Sequence, residues 1–487
     1  MSRNEVAFEV MAEGPPSLSQ TIQVANETGY PLDYTVEHYQ PWLTLFYHGK
    51  TLDTIFAYAS GRELLEGDYT DTIKITAGDA VGSPQKIAIN LHVDRGLKMG
   101  PGSFHLYWLI GTPPIQPLPL IIAPTGGGTM PYQIASTVPW VRLSSESGIA
   151  RDTQTVSFSL ASAHTGTYIG QINISSAEAV NSPQQVPCSL SIVSWGTQSV
   201  GGAYALHGVK FLSATEGLAI GYRRVAFGRD GYAFRTHDGG RTWIPQLVTS
   251  NSGLLGMTVA SPTRIYAYGE NGQIVRSNDG GDFWVSLGIG GRTINALASP
   301  GPDTIYVFSN GGNVSASYNN GELWQPMPSP VASPLNGTQF FDALSGWVVG
   351  NEGVVMFTND GCYSWTVVPV TTAADLNGIY MYDRNTGWIV GSNGTILTRT
   401  DGTKWHLQIS PTANDLWSVH FIDRQTGWIV GDGGTVLFTD DGGLHWEIEP
   451  TETRFTMSAI DFLNQNVGFA VGNGGIIMNT LNGGRSQ

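Results

Sequence analysis

Three features of the sequence predict an all-β chain made of two small sandwiches followed by a seven-bladed β-propeller. Charged residues are only 13% of the 487 positions while glycine reaches 62, a balance that favours many short strands and tight turns over long surface helices. Residues after 200 repeat with a period of 40 or 41. Residues before 193 repeat with a period near 98.

The C-terminal repeat is the more regular. "LNGIYMYDRNTGWIVGSNGTILTRTDGTKW" (376–405) is followed by "LWSVHFIDRQTGWIVGDGGTVLFTDDGGLHW" (416–446). Related copies occupy 335–365 and 456–486, and weaker ones start near Leu206, Leu255 and Ile294, which makes seven. Each copy reads as four short strands. An "IYMYD"-like strand is followed by "GWIVG", a Gly/Asn turn, a "TILTRT"-like strand, and a D-G-G-x-x-W turn that leads to the last strand. The turns Gly391-Ser392-Asn393-Gly394 and Gly431-Asp432-Gly433-Gly434 supply the positive-φ positions of tight hairpins. One face of each unit cannot be covered from within, and stacking the units around an axis covers it.

The turn tryptophans are Trp243, Trp284, Trp324, Trp365, Trp405 and Trp446, six for seven copies. Trp405 precedes Phe421 by sixteen positions and Trp446 precedes Phe462 by sixteen; so does Trp195 precede Phe211. Trp195 is therefore the seventh turn tryptophan. Residues 193–199 are predicted to form the outer strand of the unit whose other three strands end the chain, closing the ring and removing an exposed edge. The interval from Trp195 to Trp243 is 48, and "YRRVAFGRDG" (222–231) accounts for its excess.

In the N-terminal repeat Trp42 aligns with Trp140, Gly67-Asp68-Tyr69 with Gly166-Thr167-Tyr168, and Ser83-Pro84 with Ser182-Pro183. Alternating strands such as "TYIGQINIS" in units of this size predict Ig-like β-sandwiches. The expected domains are 1–95, 101–193 and 194–487, with "DRGLKMGPG" (94–102) as the one linker-like segment.

Composition excludes several functions. The net charge is −15, and Lys210 and Lys404 are the two lysines after residue 200, so the basic face of a nucleic-acid binder is missing. Cys188 and Cys362 fall in different predicted domains, which argues against a disulfide framework and a cysteine metal site. No histidine pair has convincing metal spacing, and no metal or cofactor is expected. No apolar run approaches a membrane span, so direct membrane insertion is not expected. The first twenty residues lack a long apolar stretch, and no cleavable signal is visible. The chain is then a mature form, or leaves the cytoplasm by another route, or stays inside.

The turns "THDGGRTW" (236–243), "SNDGGDFW" (277–284) and "TDDGGLHW" (439–446) resemble the Asp-box, or bacterial neuraminidase, repeat. The longer pattern F-x-D-x-x-T-G-W-x-V-G-x-x-G-T-I-L, as in 421–437, resembles propellers of the photosystem II stability and assembly factor type. "PWVRLSSESG" and "TGTYIGQINISS…NSPQQVPCSLSIV" resemble BACON-type Ig-like domains; the first sandwich departs from that pattern at "YHGKTLDT".

Asp238, Asp279, Asp360, Asp401 and Asp441 invite a catalytic or metal reading. An aspartate before two glycines in a tight turn is better explained as an acceptor of backbone N–H bonds, with the following tryptophan packed between blades. Two copies carry Asn319-Asn320-Gly321 and Leu481-Asn482-Gly483 instead, replacements that a hydrogen-bonding turn tolerates and a shared catalytic role does not. A sialidase-like site needs an arginine cluster, a Tyr–Glu pair and an acid/base Asp. The nearest match to its Arg-Ile-Pro element is Arg264-Ile265-Tyr266, which departs at the third position, so that resemblance implies fold and not activity.

Two surfaces remain. Arg223, Arg224, Arg229 and Arg235 cluster around the first copy's insertion. They form either a docking patch for a carboxylate-rich partner, as the assembly-factor resemblance implies, or a solvated hairpin neutralised by neighbouring acids. Arg384 and Arg424 read as structural loop residues. His207, Asn295, Asn336, Asn377, Trp417 and Ser458 stand just inside the first strands, near the axial mouth where propeller ligands sit. They hold a sugar or peptide, or else order water and cap strand ends; His207 reads as a structural residue.

The expected function is binding or scaffolding without catalysis. Two Ig-like modules form a stalk that joins without slack, at Trp195, a head that recognises protein or glycan, on a cell surface or in an extracellular or phage-tail-like particle, as part of a larger assembly. The alternative is an assembly factor for a membrane complex of the photosynthetic type, and a remote third is a sialidase-like hydrolase.

Overall fold

The computed structural model describes residues 4–27, 30–78, 80–159, 164–400 and 402–485. Regular structure among them is strand, apart from three one-turn 3-10 segments. The chain divides into two compact units, one of residues 1–108, 113–163 and 167–191, the other of residues 109–112, 164–166 and 192–487.

The first unit holds two separate hydrophobic cores. One lies between a sheet of Glu5–Met11, Gln85–Asp94, Gly67–Thr76 and Thr35–Glu37 and a sheet of Gln20–Val24, Asp53–Ala59 and Leu43–Phe46. Glu5–Met11 runs parallel to Gln85–Asp94, and its strict alternation buries Val6, Phe8 and Val10 against Ile22, Ile55, Ile73 and Trp42. The other core gathers Leu120, Ile122, Val156, Ile172, Val186 and Cys188. Residues 94–102 are not a linker. Leu97–Gly100 is an edge strand paired antiparallel with Leu118–Pro124, and Leu97 is buried in the second core. Glycine and proline composition suggested slack where an apolar Leu97 has a sheet edge to join.

The second unit is built from seven four-stranded antiparallel sheets among the described residues. Strands follow in chain order within a sheet, as in Leu416–Phe421, Gly427–Gly431, Val436–Thr439 and Glu447–Ile448. Apart from the extended Gly217–Val225, the second strands, such as Gly387–Gly391 and Gly427–Gly431, are buried at every residue, because neighbouring sheets cover both faces. That is why "GWIVG" runs apolar without alternation. The first strand of each sheet contacts the first strand of the next, and that of the seventh contacts that of the first.

The seventh sheet joins both ends of this unit. Gly196–Ser199 pairs antiparallel with Ile476–Thr480, beside Gly468–Gly472 and Met457–Phe462. The strand is shorter than the predicted 193–199. Trp195 is buried, edge-on to Phe462 at 6.0 Å, in a core shared with Trp428, Phe438 and Met457. Gly484 carries φ +73°, and a Cβ there would stand 2.1 Å from Trp195 Nε1, so glycine is required for the indole to seat.

Aromatic stacks tie successive sheets. Trp388 lies on Phe421 with centroids 3.4 Å apart, Trp428 on Phe462 at 3.6 Å, and Phe469 on Phe211 at 3.9 Å. The indole N–H of Trp388 donates to Gly442 O (2.9 Å) and that of Trp428 to Gly483 O (2.8 Å). Each turn glycine thus accepts from the sheet before it. Arg384 reaches Asp342 at 2.5 Å and Arg424 reaches Asp383 at 2.7 Å, each linking its own sheet to the preceding one.

Candidate functional site

The repeated turns have one hydrogen-bond pattern. Asp238 Oδ1 accepts from the amides of Arg241 (3.0 Å) and Thr242 (2.9 Å), and Asp279 Oδ1 from those of Asp282 and Phe283. Asp360 accepts from Ser364 N and Asp441 from His445 N. Asn319 accepts from Leu323 N in the same way. Asp401 lies outside the described residues. The turn tryptophans pack as wedges. Trp243 is edge-on to Phe211, Trp365 to Phe308, Trp405 to Trp347 and Trp446 to Phe421, while Trp284 and Trp324 join the cores of their own neighbourhoods.

Sequence reading passed over a second member of this turn. Two positions before the Asp or Asn stands a buried hydroxyl: Thr236, Ser277, Ser317, Thr358, Thr439 and Thr480. Thr439 Oγ1 donates to Asp441 Oδ1 (2.9 Å) and accepts from Gly443 N (3.0 Å). The signal was present as [S/T]-x-[D/N], but serine and threonine are common in turns and drew no notice. Thr439→Ala removes a buried partner from both groups and is expected to destabilise the second unit by about 1–3 kcal/mol, with Thr439→Ser nearly neutral, as read by urea titration.

The turn carboxylates also set an acid limit. Bonds from the Thr242 hydroxyl and amide hold Asp238 down at about 2, against 3.8 for a free aspartate. The Ser364 hydroxyl lowers Asp360 and the Phe283 amide lowers Asp279. A depressed carboxylate contributes stability above its unfolded value and loses it as pH falls through the folded one. Tryptophan fluorescence is therefore expected to report unfolding that sets in below pH about 4 and deepens toward about 2.

All six predicted mouth residues meet in one cavity of about 1020 Å³, joined by Leu255, which sequence reading did not single out. A backbone device puts them there. In every sheet the pairing of first and second strands skips one residue, between Leu206/Gly208, Leu254/Gly256, Ile294/Ala296, Leu335/Gly337, Leu376/Gly378, Leu416/Ser418 and Met457/Ala459. The skipped residues are His207, Leu255, Asn295, Asn336, Asn377, Trp417 and Ser458. A bulge releases one residue from the ladder and re-aims its side chain. Seven bulges therefore give seven lining residues.

Several lining side chains already have partners. Asn336 Nδ2 donates to Leu376 O (3.0 Å) and Asn377 Nδ2 to Leu416 O (2.9 Å), each clamping the next sheet's first strand. Asn295 Nδ2 donates to Asn310 Oδ1 (2.9 Å). Trp417, at 38% exposure, donates from Nε1 to Asp432 Oδ1 (2.8 Å). His207 stacks on Tyr222 at 5.2 Å, and burial together with nearby Arg229 pushes its pKa down to about 4. Its Nε2 is buried without a hydrogen-bond partner among the described residues.

Three of the four arginines gather toward the tip of one hairpin, where Arg224 stands directly opposite Arg229 and Arg223 is next to it; Arg235 stands apart. Residues 222–231 extend two strands, Gly217–Val225 and Gly228–Thr236, into a longer hairpin than any other copy has. Arg229 and Arg235 stand near opposite ends of the second, roughly 20 Å apart at strand rise. Arg229 pairs with Glu270 and lies over Tyr222; Arg235 pairs with Asp282 and Glu216. Arg223 covers the rings of Tyr204 and Tyr232, and Arg224 is exposed, as is Phe227 at the hairpin tip. Strand length, which a one-letter cluster hides, separates Arg235 from the other three.

No group of three or more metal-ligating side chains exists among the described residues, and both cysteines are buried and unpaired. No helix among them is long and apolar enough to cross a membrane.

The second unit is a β-propeller with BNR-type repeats. Residues 316–410 and 402–487 match the family model described as photosynthesis system II assembly factor YCF48. Among solved structures, the chain is similar to YCF48 bound to D1 peptide, at 17% identity and a TM-score of 0.50, over 59% of this chain and 95% of that one. It is also similar to YCF48 from Cyanidioschyzon merolae, at 16% identity and a TM-score of 0.49, over 59% and 98%. The WD40 β-propeller domain of Doa1 aligns at 9% identity and a TM-score of 0.45, over 58% and 96%. None of the curated proteins compared with the chain matches it in sequence.

Proposed function

We propose that the chain is a non-enzymatic binding protein whose seven blades, one per four-stranded sheet, surround an axial cavity that receives a segment of a partner protein during assembly of a larger complex. The parallel pairing of the first and last strands around the N-terminal core supports reading 1–95, and by repetition 101–193, as Ig-like modules that accompany the head. The convergence of seven bulge residues on one cavity carries the functional reading. Its size and mixed lining of asparagine, histidine and tryptophan suit a peptide. The match to the YCF48 family, with one structure of YCF48 bound to a D1 peptide, favours an assembly role with a protein ligand over the surface stalk and over glycan. Among the described residues the lining contains no arginine and no glutamate, which speaks for binding rather than sialidase-like hydrolysis.

A photo-cross-linking amino acid installed at Asn377 is expected to trap a protein chain from a membrane extract of the native source. A chain that retains glycans alone, or turns over an aryl glycoside through cavity residues, overturns the reading.

A further inference from the structure

The ligand's chemistry can be taken one step further, on the reading that the axial cavity binds a protein segment. The charged residues lining the cavity, with the neutral His207 set aside, are Lys210, Asp375, Asp415 and Asp432. Lys210 is already neutralised: its ammonium bonds the buried Asp461 at 2.6 Å. The other three are half-buried and have no ion pair among the described residues. One oxygen of each accepts a neutral donor: Asp375 from Glu352 N (3.0 Å), Asp415 from Asn393 N (2.8 Å), and Asp432 from Trp417 Nε1 and Thr456 Oγ1. These bonds fix the carboxylates without cancelling their charge.

Trp417 adds an independent feature. It is the large aromatic among the bulge residues, and its N–H is held by Asp432, so the ring is anchored at one edge while more than a third of its surface stays open. An anchored indole beside carboxylates is the setting in which a cation gains from both the ring face and the charge. Two sheets further round the ring, with the seventh sheet between, the first copy's hairpin supplies the opposite sign at the same end. Its connection corresponds to the loop that carries Asp432, and Arg224 there is exposed, with no acid partner among the described residues.

We propose that the axial cavity recognises a lysine- or arginine-bearing segment of the partner protein, its cation seated on Trp417 and compensated by Asp375, Asp415 and Asp432. Such a segment is discriminated from an acidic one by charge, and from a neutral one by the ring.

Fluorescence anisotropy of the full chain with three labelled peptides of equal length tests this. One carries three arginines among glycine and serine, one three glutamates, and one no charge. The arginine peptide is expected to bind best and to weaken as salt rises from low to physiological. Asp375→Asn, Asp415→Asn and Asp432→Asn keep an acceptor oxygen for each internal bond; combined, they are expected to weaken the arginine peptide at least tenfold. Trp417→Ala is expected to weaken it roughly three- to thirtyfold. Asp440→Asn, which removes one exposed charge from a turn at the far end of its sheet, is expected to change nothing. Equal binding of arginine and neutral peptides, equal loss with Asp440→Asn, or preference for the glutamate peptide through Arg224 overturns the proposal. Should cross-linking at Asn377 trap a protein while the arginine peptide fails, the charge assignment falls and the protein-binding reading stands.

Discussion

Trp195→Ala is expected to lower the stability of the second unit by about 3–5 kcal/mol, the usual cost of truncating a fully buried tryptophan. Its indole is 1% exposed and shares a core with the sixth and seventh sheets. It also immediately precedes the strand that closes the seventh sheet against Ile476–Thr480. Calorimetry is expected to show the transition of the repeat region falling while that of the N-terminal cores, which contain neither Trp195 nor its partners, stays in place. An unmoved repeat transition would mean that closure does not depend on this residue.

Trp428→Ala is expected to cost a similar amount for a different reason. Trp428 is 0% exposed, stacks on Phe462 at 13° between planes, and bonds Gly483 O. Substitution opens a cavity between two sheets and orphans a turn carbonyl. Trp428→Phe retains most of the stack and loses the bond, so a cost of about 1–2 kcal/mol is expected from the unmade hydrogen bond. Urea titration of both variants separates the two contributions; equal losses would assign the whole effect to the bond.

These residues also indicate what was legible in the sequence. Periodicity exposed the repeats, since each sheet must present the same apolar second strand and the same turn. Counting from turn tryptophan to first strand located the closing strand, because Trp195 performs the same packing task as Trp446. The mouth residues were legible only as positions. The bulge that turns them inward is a backbone property, and sequence spacing cannot distinguish a bulged residue from a paired one. Leu255 escaped because a leucine at a strand start looks like ordinary core. The arginine cluster was legible in part: Arg223, Arg224 and Arg229 sit near one hairpin tip, while Arg235, within the same thirteen positions, is carried away by the strand's length. Leu97–Gly100 was obscured by flanking Gly and Pro, whose loop signal outweighed a single apolar residue.

The latch that joins Gly196–Ser199 to Ile476–Thr480 has a consequence for biosynthesis. Even Phe211 and Asp461, bonded beside the seam, are 250 positions apart. During vectorial synthesis the early strand waits with an unpaired edge while six sheets emerge, and its native partner is missing until Ile476–Thr480 leaves the ribosome. Nascent chains of this protein therefore present a sticky edge for longer than a sheet built from neighbouring segments does, and a chaperone with an appetite for extended strands would find its substrate there.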